Sequence, residues 1–101
     1  MALSLSTSRD ADTITVHVAG DVDLSTVGEL DRAMLTAVND GVSSVVIDLA
    51  GVTFIDSAGI NTLLKSRRLA DELDRRFRVA NATGIVHDVL DLTGVLSHLS
   101  G

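Results

Sequence analysis

The sequence predicts an α/β fold in which a mixed four- or five-stranded sheet is covered mainly on one side by three or more helices. Three observations lead there. Short segments of alternating or β-branched apolar residues recur along the chain, at Ile14 to Val18, Val45 to Leu49 and Phe77 to Val79. Between them lie segments with apolar residues at helical spacing, each preceded by a Ser or Thr that can cap a helix. The Val45 to Leu49 run is nearly continuous, as a strand inside a parallel or mixed sheet requires. Strands that alternate with helices form a layered α/β arrangement.

Taken in order, Leu3 and Leu5 alternate with serines, and Ile14, Val16 and Val18 alternate with Thr15, His17 and Ala19. Two strands should therefore pair around the turn-like SRDAD stretch at residues 8–12. Thr26 and Glu29 make a capping-box pattern that opens a helix over 26–39, with Val27, Leu30, Met34, Ala37 and Val38 on one stripe and Asn39-Asp40-Gly41 at its end. Val45, Val46, Ile47 and Leu49 read as a central strand covered on both faces and ending at Leu49. A Gly-containing loop then leads into Asp56-Ser57-Ala58-Gly59 and a helix over 58–73, with Ser57 placed to cap it. Ile60, Leu63 and Leu64 begin that helix's core stripe, which degrades where Arg67 falls on the apolar side and Leu69 off it. Phe77 and Val79 alternate with Arg78 as a short strand. Thr83 caps a third helix over 84–93, with Val86, Val89 and Leu90 on one face and Gly94 past its end. The tail VLSHLSG gives a last strand or a turn of helix. With no Pro, Ser/Gly-rich linker or repeat, residues 1–101 read as a single domain.

Composition narrows the function. At 101 residues, 46% hydrophobic and 22% charged, the chain suits one globular core and hardly leaves room for a deep, enclosed active site as well. The absence of Cys removes disulfides, Cys-based zinc sites and thiol nucleophiles, and the three His (His17, His87, His98) show no ligand spacing. A net charge of −6 argues against a nucleic-acid partner, because a phosphate backbone must be met by clustered Lys and Arg. The charge is unevenly spread. Residues 1–56 carry nine acids against two bases, whereas all six bases of the remainder (Lys65, Arg67, Arg68, Arg75, Arg76, Arg78) fall within fourteen residues. That run reads as a solvated helix end whose cations complement the helix dipole. Neither a membrane-spanning run nor a secretory signal is visible, so a cytoplasmic protein without direct membrane insertion is expected.

Chemistry concentrates in VVIDLAGVTFIDSAGINTLL, residues 45–64. In open α/β sheets, sites gather beyond the carboxyl ends of strands, where helix N-termini present unpaired N–H groups and partial positive charge. Ser57 sits at such an end, as a plain cap, as a functional hydroxyl, or as both. It is not a nucleophile elbow, because Ile55 stands where G-x-S-x-G requires the first Gly. GVTFIDSAG also lacks the G-K-[ST] ending of a phosphate-binding loop. Asp21, Asp23 and Asp56 could suggest a hard-metal site but read better as solvated turn acids. Gly59 costs a helix about 1 kcal/mol against Ala, which suggests close approach by another backbone and hence an interface. No enzyme activity, cofactor or metal is expected.

The segment VVIDLAGVTFIDSAGINTLL closely resembles the signature of STAS domains, specifically the small bacterial anti-sigma-factor antagonists. Gly20-Asp21-Val22-Asp23 is similar to that family's G-[DE]-x-D turn, and LDLTG (90–94) to its late helix, so the resemblance spans roughly residues 3–96. It implies a STAS-type fold and partner switching: the unphosphorylated domain binds an anti-sigma factor, itself a serine kinase, and so releases a sigma factor. Phosphorylation of Ser57 would end that complex, and a serine phosphatase would restore it. The same motifs imply a partner-binding surface of Asp21, Asp23, Asp56, Ser57, Ala58 and Gly59. Family members often carry Gly before the fourth strand, where this chain has Asp74-Arg75-Arg76, so that loop is expected to differ. Transporter-linked and lipid-trafficking members share the fold, which leaves a STAS regulatory subunit of a membrane transport or lipid-trafficking complex as the alternative.

Overall fold

The computed structural model describes residues 3–82, 84, 86 and 87. Strands β1 (Ser4–Asp10), β2 (Thr13–Val22), β3 (Ser44–Ile55) and β4 (Arg76–Ala80) form one mixed sheet in the order β1-β2-β3-β4. Helix α1 (Val27–Val38) connects β2 to β3, and α2 (Ser57–Glu72) connects β3 to β4. The first pair is antiparallel and the other two are parallel. Parallel neighbours need a crossover, and the two helices supply it.

The hairpin turn is tighter than SRDAD suggested. Asp10 pairs with Thr13, leaving Ala11 and Asp12 as the loop, and Ala11 takes φ 53 to close it. Beyond the turn, register aligns Ile14 with Val45 and Phe77, and Val16 with Ile47 and Val79. All six are buried beneath the helices, where Leu30, Met34, Val38 and Leu63 pack in the same core. Burial of each such side chain contributes roughly 1.5–3 kcal/mol. The other face carries Thr15, Val46 and Arg78 in one row and His17, Asp48 and Ala80 in the next. Val46 is buried on that face too, outside the core cluster beneath the helices.

Strand β3 does not stop at Leu49 but runs on to Ile55. Two irregularities in its pairing with β2, at His17/Ala19 and Gly20/Asp21, change the spacing of its inward residues from two (Val45, Ile47, Leu49) to three (Val52, Ile55). That shift hides the strand from a period-two reading. Gly51 permits it, since a β-carbon there would lie 2.7 Å from that of Ala19.

Three cap and charge assignments need correction. Thr26 is the N-cap residue of α1, but its side chain makes no capping bond, so the capping box does not form. The second cap is Asp56, whose Oδ1 accepts from the Gly59 N–H at 3.1 Å, and Ser57 is the first helical residue. The last turn of α2 holds no basic residue and carries Asp71 and Glu72, so the cations do not complement its dipole there. They are spent elsewhere: Lys65 meets Asp31 at 3.4 Å, and Arg67 meets Asp71 at 3.7 Å. The stripe of α2 does not end at Leu64; it continues through small Ser66 and Ala70, both buried. Asp74 takes φ 56, so an Asp occupies a left-handed turn before β4 where Gly would be unstrained.

Gly84, Val86 and His87 are helical, and Val86 is buried in the core. The rest of the helix expected over 84–93, its cap Thr83, the LDLTG segment and a strand from the tail lie outside the described residues. Two helices are therefore complete among the described residues, against three or more expected.

Candidate functional site

Strands β2 and β3 end side by side. Val22 pairs with Ile55, and the Asp56 N–H donates to the Val22 carbonyl at 3.2 Å. The loop from β2 to α1 and the start of α2 thus share one edge of the sheet, where both adjacent parallel strands present their carboxyl ends. This edge holds Asp21, Asp23, Asp56, Ser57, Ala58 and Gly59.

Gly59 sets how closely α2 can approach. It is buried, and a β-carbon on it would lie 2.7 Å from Ile55 Cγ1 and 2.7 Å from Val22 Cγ1. The close approach foreseen at Gly59 is therefore internal, and it is to side chains rather than to another backbone. Ala58 is half-buried and Ser57 exposed. Because Asp56 does the capping, the Ser57 hydroxyl is released from that duty and has no hydrogen-bond partner among the described residues. Among the described residues, no His or carboxylate hydrogen-bonds to it. It stands free at a helix N-terminus, where the backbone favours anions.

The preceding loop is held by an inward hydroxyl. Thr26 is buried, donates to the Asp21 carbonyl at 2.8 Å and accepts from the Asp23 N–H at 3.0 Å. Asp23 Oδ1 accepts from the Ser25 hydroxyl at 2.6 Å and from the Ser25 N–H at 2.9 Å, and the hydroxyl bond is the main cause holding its pKa below the ordinary 3.8. Asp21 Oδ1 accepts from the Thr53 hydroxyl at 2.8 Å. Each of Asp21, Asp23 and Asp56 thus spends its Oδ1 inside the fold and keeps Oδ2 without a hydrogen bond among the described residues. Asp23 and Asp56 each serve their own turn while Asp21 ties β2 to β3, and among the described residues no group of His, Asp or Glu converges to hold a metal ion.

Sequence reasoning missed two features. Leu24, in the loop, and Phe54, near the end of β3, are exposed at this edge. A lone apolar residue in a polar loop gives only a weak signal. The second feature lies on the sheet face away from the helices, where His17 Nδ1 meets Asp48 Oδ2 at 3.0 Å and His17 Nε2 meets the Ser8 hydroxyl at 3.1 Å. Asp48 Oδ1 accepts from the Ala50 N–H and from Asn81 Nδ2, each at 3.0 Å. The Ala50 bond is the first cause of a lowered Asp48 pKa, ahead of those from Asn81 and His17. Hydroxyl, imidazole and carboxylate follow one another as in a proton relay, but His17 is 45% exposed and nothing excludes water. Alternation puts all three residues on this face, and only the register brings them together.

The chain and its fold have known counterparts. An anti-sigma-B factor antagonist of Staphylococcus epidermidis is 25% identical over 95 residues, which cover 94% of this chain and 88% of the relative. The crystal structure of an anti-sigma factor antagonist from Mycobacterium paratuberculosis superposes with a TM-score of 0.89 at 23% identity, covering 97% of this chain and 83% of that one. The Bacillus cell-fate determinant SpoIIAA, in its phosphorylated form, superposes at 0.71 with 19% identity, over 91% and 85% of the two chains. These likenesses to solved structures establish the fold, and family membership rests on the sequence. A family model described as "Mlab, STAS domain" matches residues 5–99, nearly the whole chain, and the protein belongs to the STAS domain family.

Proposed function

We propose that the protein is an anti-sigma-factor antagonist: a non-catalytic module that binds an anti-sigma factor, so releasing a sigma factor, and is switched off when that partner, a serine kinase, phosphorylates Ser57. A serine phosphatase acting on phosphorylated Ser57 returns it to the binding state. One observation carries the reading. The Ser57 hydroxyl is exposed and without a partner among the described residues, at the first position of α2, while the neighbouring Asp56 does the capping. A kinase can reach that hydroxyl without dismantling the helix end.

The physics suits a switch. A phosphate adds about −1.5 to −2 charge, and a helix N-terminus tolerates it, so the fold survives. A partner packed on the same edge would desolvate that charge beside Asp56 and the other carboxylates, and the complex would lose affinity. The likeness to antagonists supports the same reading, and one of them, SpoIIAA, is known in both an unphosphorylated and a phosphorylated form. Asp21, Asp23, Asp56, Ser57 and Ala58 are the proposed contact residues, and Gly59 contributes by letting α2 sit close. A STAS subunit of a transport or lipid-trafficking complex would share the fold and leave Ser57 unmodified.

The test is phosphate transfer. Each ATP-binding anti-sigma kinase encoded in the same genome is incubated with ATP and this protein, and the product is mapped by mass spectrometry. The reading expects one such kinase to modify Ser57 in the wild type and to leave Ser57→Ala unmodified. Transfer to another residue, or to none by any of these kinases, would contradict it.

A further inference from the structure

Among the described residues, three large apolar side chains are substantially exposed: Leu24 at 79%, Phe54 at 45% and Leu73 at 37%. Leu73 follows the far end of α2. The other two share the Ser57 edge: Leu24 lies two residues past Val22, Phe54 one residue before Ile55, and Val22 pairs with Ile55. Leu24 is not exposed because its loop is loose. The residues on either side are fixed, Asp23 by its bonds to Ser25 and Thr26, and Ser25 by its own hydroxyl bond. Phe54 sits next to Thr53, whose hydroxyl is tied to Asp21 across the strands. The loop holds an apolar side chain out in water, and a loop whose backbone is already fixed loses little entropy on docking.

We propose that Leu24 and Phe54 are the apolar anchors of the Ser57 edge, and that the partner surface they fit is an apolar socket rimmed by Lys and Arg. This deepens the proposed function and rests on it. Anchors that dominate binding are apolar groups driven into desolvated pockets, with polar groups around them. Here the surrounding groups are the three carboxylates, each with Oδ2 to spare and none in an ion pair among the described residues. Such a rim selects a cationic counterpart and repels an acidic one. A phosphate on Ser57 would have two opposed effects, strengthening the pull of the rim on cations while its hydration shell keeps the anchors from seating, and the switch requires the second to outweigh the first.

The experiment uses the purified kinase that modifies Ser57 in the wild type and not in Ser57→Ala. Its affinity is measured by calorimetry for the wild type, Leu24→Ala, Phe54→Ala, the double variant and Leu73→Ala, with melting temperatures as a check on folding. Each single anchor variant should lose about tenfold and the double variant at least a hundredfold. Leu73→Ala should stay within about twofold, and all melting temperatures should remain close to the wild type because these side chains are exposed. If the kinase binds the double variant as tightly as the wild type, the anchors are refuted and the proposed function stands. If no kinase binds or modifies the wild type, both fall together. Should sedimentation show a wild-type dimer that the double variant abolishes, the occupant is a second copy of this chain and the socket assignment is wrong.

Discussion

Two polar regions of this small protein are built from the same kinds of side chain and behave oppositely. On the open face of the sheet, Ser8, His17, Asp48 and Asn81 bond to one another, and Asp48 also takes the Ala50 N–H. At the ends of β2 and β3, three carboxylates bond inward through one oxygen each, and the Ser57 hydroxyl bonds to nothing among the described residues. The first region consumes its hydrogen-bonding capacity, and the second keeps some in reserve. A polar cluster that satisfies itself stabilises a surface; one with capacity left over can bind. The difference lies in backbone supply, because Asp56 and the Thr26 hydroxyl meet the needs of the loop ends and so free their neighbours.

This contrast can be broken most severely at Gly59. Gly59→Val adds side-chain atoms where a β-carbon alone already lies 2.7 Å from Val22 and Ile55, so α2 must lift from the sheet. The expected cost is about 3 kcal/mol, read as a lower urea midpoint, together with loss of the edge geometry. A variant as stable as the wild type would show that α2 is not packed as described. Next comes Thr26→Val, which keeps the shape but leaves the Asp23 N–H and the Asp21 carbonyl without their hydroxyl. Roughly 2 kcal/mol should be lost, and amide exchange in residues 23–26 should accelerate while the strands stay protected.

The smallest effect should come from the self-satisfied face. Asp48 has a folded pKa below its ordinary 3.8, so its contribution is fully present above that value and is lost as pH falls through the folded pKa. Asp48→Asn should therefore flatten the acid limb of the stability curve while leaving phosphate transfer to Ser57 unchanged. A change in transfer would mean that the two regions are coupled. Asp23, also lowered, contributes over the same acid window and should keep part of that limb in the variant.

Much of this was legible in the sequence, and the failures have physical causes. The order of elements from β1 to β4 follows from apolar spacing, and the position of Ser57 at the start of a helix follows from the strand-loop-helix pattern. The second half of β3 was hidden because bulges replace alternation with a spacing of three, and Ala50-Gly51 has the composition of a loop. Thr26 is the N-cap residue of α1 as read, but its capping box does not form and Ser57 is not the cap of α2, because neighbours do the work: the Asp23 carbonyl takes the Thr26 and Val27 N–H groups, and Asp56 takes that of Gly59. The stripe of α2 read as degrading beyond Leu64 because its later buried positions are the small Ser66 and Ala70. The network around His17 needed register, which spans 31 residues from His17 to Asp48 and is invisible to local patterns.

The central claim is that the Ser57 edge can take a negative charge without harm to the fold while a bound partner cannot. Affinity of the kinase proposed to modify Ser57 for Ser57→Asp, set beside Ser57→Ala and the wild type with each protein's unfolding free energy, tests it most directly. The account predicts that Ser57→Ala binds as the wild type does, that Ser57→Asp loses at least about tenfold, or about 1.4 kcal/mol, and that its stability changes by less than about 1 kcal/mol. Undiminished binding by Ser57→Asp would contradict the account and leave Ser57 as an ordinary first residue of a helix in a STAS interaction module.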